Sequence, residues 1–92
     1  MKCVKVIVSG LVQGVNYRFF CHQNAAEMNI KGYAKNLHNG DVEVVAKGED
    51  GLIQDFIKLL KIGPRASNVT SIHVADLDCD EDLSGFSVYW KF

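Results

Sequence analysis

This chain has almost no surplus of charge, a single proline, few and scattered cysteines and no long apolar run. Each shortage closes off a class of protein. Ten Lys and Arg stand against eleven Asp and Glu, for a net charge of −1. No broad basic field is therefore available for nonspecific binding of nucleic acid or an anionic membrane, and any anion must be held locally. No segment approaches the about 18 apolar residues of a membrane span. The opening run Met1-Lys2-Cys3-Val4-Lys5-Val6 is broken by lysine and has no small-residue processing site, so the expected compartment is the cytoplasm. Cys3, Cys21 and Cys79 are odd in number and form no C-x-x-C pair, which argues against a disulfide framework and a zinc site. Free thiols are expected. Repeats, low-complexity stretches and linkers are lacking as well. With 92 residues, 48% of them apolar, the chain is expected to form one domain over 1–92 around one modest core. No unclaimed apolar stripe points to an obligate dimer, so a monomer is expected.

What is present alternates between two periods. Val4, Val6 and Val8 repeat every second residue, the pattern of a strand with one buried face. From Tyr17 the period changes: Tyr17, Cys21, Ala25 and Met28 share one helical face, and Asn29 or Gly32 ends the helix. Ile30 to Leu37 reads as a second strand. Asn39-Gly40 is a tight-turn signal leading to Val42, Val44 and Ala46, which makes a hairpin. Ile53, Phe56, Ile57 and Leu60 form the stripe of a second helix, stopped by Gly63-Pro64. Ile72 and Val74 mark a fourth strand, Asp76 to Asp82 reads as an exposed acidic loop, and Phe86, Val88 and Trp90 mark a short last strand. The fold class is α+β, a ferredoxin-like split β-α-β-β-α-β sandwich. An antiparallel sheet carries two helices on one face, plus a short C-terminal strand.

Between the first strand and first helix stands Gly10-Leu11-Val12-Gln13-Gly14-Val15-Asn16-Tyr17-Arg18. Glycines permit backbone angles that let successive N–H groups converge, and a helix N-terminus adds unpaired donors. Arg18 supplies a forked donor matched to phosphate oxygens. In the split βαβ topology the first two strands run the same way, so this loop and the end of the second strand emerge together. Asn36 shares the parity of Ala34. If Ala34 faces the helices, Asn36 does too, and Arg18 and Asn36 are expected to be neighbours.

These residues resemble the acylphosphatase family. Gly10 through Arg18 is similar to its first signature, with Tyr17 where phenylalanine is usual. Gly32-Tyr33-Ala34-Lys35-Asn36, with Gly40, Val42 and Gly48, is similar to its second. There Tyr33 stands where tryptophan is frequent and Asn39 where aspartate is usual. The resemblance extends through Gly63-Pro64-Arg65 to Gly85-Phe86. It implies a small cytosolic hydrolase of acyl phosphates in which Arg18 binds phosphate and Asn36 places the water. The phosphate loop it implies is Gln13, Gly14, Val15, Asn16, Tyr17 and Arg18. No cofactor and no metal are implied.

The chemistry is consistent with this. An acyl phosphate departs as a carboxylate, whose conjugate acid has a pKa of about 4, so no general acid is needed. A phosphomonoester would want an acid or a metal, yet neither signature contains Asp, Glu, His or Cys at a motif position. The expected partners are a small acyl phosphate and inorganic phosphate, the latter as product and competitive inhibitor. Cys21 on the apolar stripe reads as core, not as nucleophile. His22, His38 and His73 form no ligand pattern, and Phe19 and Phe20 read as core. An RNA-binding module of the same topology would need aromatics on its central strands, and Lys2–Ser9 and Val42–Lys47 contain none. The alternative left open is a catalytically silent anion-binding regulatory domain of the same fold.

Overall fold

The computed structural model describes residues 1–79 and 83–89. In chain order the elements are β1 (Lys2–Leu11), α1 (Tyr17–Glu27), β2 (Lys31–Asn36), β3 (Val42–Gly48), α2 (Asp50–Ile62), β4 (Asn68–Leu77) and β5 (Phe86–Tyr89). The sheet order is β4-β1-β3-β2-β5. Neighbours among the first four strands are antiparallel, as expected, but β5 lies parallel to β2 and makes the sheet mixed. Trp90, assigned to the last strand, and Asp80 to Asp82, assigned to the acidic loop, lie outside the described residues. Asp76 and Leu77 belong to β4, so that strand runs further than its apolar alternation suggests.

The period-two pattern finds its partner in the period-3.6 pattern. Val4, Val6, Val8, Ala34, Val42, Val44 and Ala46 face Tyr17, Cys21 and Ala25 of α1 and Ile53, Phe56 and Leu60 of α2 in a single buried cluster. Each large aliphatic so buried contributes about 1.5–3 kcal/mol. Met28, at the end of the first stripe, packs against this cluster from a half-buried position. At the other end of the molecule's logic, Phe19 departs from expectation: it is 55% exposed, while Phe20 is half-buried against Tyr17. The helical face that faces the sheet is the Tyr17–Cys21–Ala25 line, and Phe19 falls two residues off it. His22, His38 and His73 are all exposed.

The stop signal after α2 creates a need that Tyr17 meets. Gly63 N–H closes the last turn on Leu59 O at 2.9 Å. The next carbonyl, that of Leu60, would take its helical bond from residue 64, a proline without an N–H. Tyr17 Oη donates to Leu60 O at 2.6 Å instead, from a buried position that raises the phenol's pKa by desolvation. The hydroxyl thereby ties the start of α1 to the end of α2. Tyr17→Phe is expected to destabilise the fold by about 1–3 kcal/mol, the cost of a buried polar group without its partner. Urea denaturation measures it, and an unchanged midpoint would show that Leu60 O finds another donor.

The cysteines overturn the expectation of three free thiols. Cys3 and Cys79 are bonded, with Cα atoms 5.5 Å apart, and only Cys21 is free. The pairing follows from register: Cys3 lies opposite Leu77 in the β1–β4 ladder, so the chain needs only two further residues to bring Cys79 over Cys3. Sequence separation of 76 residues hid that proximity. Burial pushes the Cys21 thiol up to about 12, so it stays neutral and unreactive, as core packing requires. After oxidation in a glutathione disulfide buffer, alkylation of the unfolded chain should label Cys21 alone. Three labelled cysteines by mass spectrometry would refute the pairing. Reduction of a loop this long should lower the unfolding free energy by up to about 4 kcal/mol.

Candidate active site

Because β1 and β2 both run antiparallel to β3, they are parallel to each other, and β5 is parallel to β2. The C-terminal ends of all three strands therefore gather at one end of the sheet. Val8, Val42 and Asn36 form one row across β1, β3 and β2 there. Asn36 follows Ala34 on the helix side, and Ala34 is fully buried in the core cluster. The Asn36 side-chain oxygen is itself buried, with no hydrogen-bond partner among the described residues. A buried acceptor left without a partner costs about 1–3 kcal/mol. Such a group in a folded protein calls for a reason.

Above this row the chain leaves β1 and turns into α1. Gly10 is not part of that turn, contrary to the sequence reading. It sits in β1 beside a bulge at Ser9/Gly10, and a Cβ there would lie 2.1 Å from Asn68 O, so glycine lets β4 pass close. Gly14, like Gly10 at +122°, holds a positive φ, here +75°, but a Cβ there would meet nothing within 4 Å, so its backbone angle alone requires glycine. Asn16, the N-cap, is also left-handed, with φ 62° and ψ 23°, and makes no side-chain cap bond. Val15 between them is not among the positive-φ residues. A backbone whose φ alternates in sign turns successive N–H groups toward one point. The amides of Gly14, Val15, Asn16 and Tyr17 donate to no acceptor among the described residues. A recess of about 200 Å³ lined by Val12, Gly14, Asn16, Tyr17, Arg18 and Phe19 opens at this turn. The larger groove, about 580 Å³ between α2 and β4, contains none of the sequence-predicted site residues.

Arg18 is half-buried in the first turn of α1, and its Nη1 donates to the carbonyl of Tyr89. Tyr89 is in register with Lys35, the residue before Asn36. One bond thus points the guanidinium at the same sheet end where Asn36 stands. Two further contacts hold β5 in place for this: the rings of Tyr33 and Tyr89 lie 5.3 Å apart, and Phe86 packs edge-on to Phe56 at 6.1 Å. The sequence offered no sign of the Tyr89 contact, because a backbone carbonyl carries no residue signature. Gln13, counted with the phosphate loop, uses its side chain otherwise: Nε2 donates to Leu37 O and Asp41 O, both at 2.8 Å. Among the described residues no three His, Cys, Asp or Glu cluster closely enough to share a metal ion.

The acylphosphatase family model matches residues 4–88. The acylphosphatase of Vibrio vulnificus (strain CMCP6) is 42% identical over 88 residues, covering 96% of this chain and 97% of that protein. The crystal structure of acylphosphatase from Bacillus subtilis has a TM-score of 0.93 to this fold at 34% identity, covering 98% of this chain and 100% of that one. An acylphosphatase structure from Coxiella burnetii gives a TM-score of 0.90 at 39% identity, over 96% of this chain and 92% of that one. The mixed sheet with two helices on one face is thus the fold of a known class of small hydrolase. The chain belongs to the acylphosphatase family, whose members are hydrolases acting on acid anhydrides.

Proposed function

We propose that this chain hydrolyses the carboxyl-phosphate bond of acyl phosphates, releasing a carboxylate and inorganic phosphate. The observation that carries this reading is the buried oxygen of Asn36, without a partner among the described residues, at the same sheet end as a left-handed turn whose amides find no acceptor there. The turn amides from Gly14 to Tyr17 and the fork of Arg18 bind the equatorial phosphoryl oxygens, where charge sits in both the ground and transition states. Asn36 Oδ1 accepts a hydrogen bond from water and sets it in line with the scissile bond. An amide is too weak a base to take a proton from the water, whose two protons stay with the phosphate product, so its contribution is orientation. The departing carboxylate needs no proton from the enzyme, and no residue of the turn is an acid.

A silent anion-binding domain would share the cradle but has no use for an acceptor at the water position. Turnover of a model acyl phosphate, measured with a chelator present, separates the two readings. We further place the enzyme in the cytoplasm as a monomer. No helix among the described residues is long and apolar enough to cross a membrane. In a reducing cytoplasm Cys3 and Cys79 stand as thiols, and the bridge marks what oxidation closes.

Arg18 and Asn36 should separate kinetically. Arg18→Ala is expected to weaken competitive inhibition by phosphate and slow turnover together, and Arg18→Lys should not rescue it, since an ammonium lacks the fork. Asn36→Ala should lower kcat by about 10² or more, the order lost with one preorganised polar group, while KM and phosphate inhibition change little. Steady-state kinetics on folded variants checks both. If Asn36→Ala weakens phosphate binding as much as Arg18→Ala does, Asn36 belongs to the cradle. Phosphomonoesters should be cleaved far more slowly than acyl phosphates. Comparable rates on the two would reveal a general acid outside this scheme.

A further inference from the structure

We propose that Gln13 is the positioning residue that sets the distance between the phosphate cradle and the water-orienting amide of Asn36. This rests on the functional reading above and assigns the side chain of Gln13 a role other than binding phosphate. Its Nε2 carries two N–H groups, and the two acceptors they reach, Leu37 O and Asp41 O, both lie at 2.8 Å. Those two residues flank the last ladder pair of the hairpin, Asn36 with Val42. They are also bonded to each other, Leu37 N–H to Asp41 O at 2.8 Å, so Gln13 grips a closed turn rather than a loose loop.

The consequence lies in what this grip joins. Gln13 immediately precedes Gly14, where the left-handed turn begins, and Leu37 immediately follows Asn36. Besides the grip, and besides the Arg18 bond to Tyr89 O in β5, the cradle is related to Asn36 through the sheet, by way of Val8 and Val42 and then the bulged end of β1. That route crosses the irregular step at Ser9/Gly10, the place on β1 where register shifts. The side-chain amide bypasses it, and its partners are backbone carbonyls, which cannot change rotamer. The cradle is local to the turn and would bind phosphate with or without the grip. In-line attack is different, since it needs phosphorus and water at a fixed separation. A misplacement of about 1 Å there costs about 10²-fold in rate. A residue acting in this way should change turnover and leave phosphate binding alone.

A double-mutant cycle with Asn36 tests this. Gln13→Met keeps the length of the side chain and removes both donors. It is expected to lower kcat by about 10-fold or more while phosphate inhibition stays within about twofold. Introduced into Asn36→Ala, it should lower kcat by no more than about twofold further, because there is no longer an oriented water to misplace. If the two losses multiply, or phosphate inhibition weakens in step with kcat, Gln13 belongs to the cradle or to the fold and the proposal is wrong. If Asn36→Ala alone leaves kcat unchanged, the reading of the site fails before Gln13 is tested. Gln13→Glu gives an independent arm within one folded sample. Its carboxylate faces two carbonyls at neutral pH and repels them, whereas the protonated acid donates to one of them. Its kcat, normalised to that of the unsubstituted enzyme, should therefore rise as pH falls through the carboxyl titration. A flat normalised profile would overturn the proposal, whatever Gln13→Met does.

Discussion

The placement of every functional group in this protein depends on the antiparallel pairing of one strand, β3, with two others. Because β1 and β2 each run against β3, they run with each other, and their ends emerge side by side. β5 then adds parallel to β2 and brings a third strand end to the same place. A helix is needed to cross between parallel strands on one side of the sheet. The start of α1 must therefore lie above those ends, with its unpaired amides facing them. Shift β2 by one residue against β3 and Asn36 turns to the opposite face of the sheet, away from the turn that holds Arg18. Ala34, fully buried on the same face of β2, is what opposes that shift.

The division of labour at the site follows from the same geometry. Backbone amides and a guanidinium attract charge wherever it sits, so they serve binding as well as catalysis. A single amide oxygen facing inward adds direction but little attraction. That pairing suits a leaving group that is already stable as an anion, and no side chain in the turn offers more. Tyr17 supports both parts from beneath. It opens α1 while its hydroxyl closes α2, so the helix that presents Arg18 is fixed at its first residue.

Most of this architecture was legible in the chain. Alternating valines gave the strands, the Tyr17–Cys21–Ala25 stripe gave α1, and two glycine-containing signatures pointed to Arg18 and Asn36. What stayed hidden depended on contacts that leave no periodicity. Cys3 and Cys79 meet because β4 is long enough to carry the chain back beside β1, and the length of an exposed edge strand is poorly marked by apolar residues. Phe19 was misplaced because a phenylalanine pair does not say which ring faces the sheet. The direction of β5 and its carbonyl contact to Arg18 required the tertiary structure. The Tyr17 hydroxyl could have been anticipated, since a proline four residues after a helical leucine announces a carbonyl without its usual donor. Gly10 and Gly14 look alike in sequence and both hold a positive φ, but only Gly10 also clears space for β4.

With its bridge closed, the chain is a lariat. The ring runs from Cys3 to Cys79 and contains both helices and four of the five strands, while β5 lies on the tail. A covalent ring restricts the unfolded states of what it encloses, and whatever lies outside gains nothing from it. The strand that aims Arg18 is held by its short ladder with β2 and by the packing of Phe86 and Tyr89. The firmness of the fold and the firmness of the arginine's aim are thus set by different parts of the chain. Conditions that open or close the bridge can alter how well this protein survives without altering how it points its key cation.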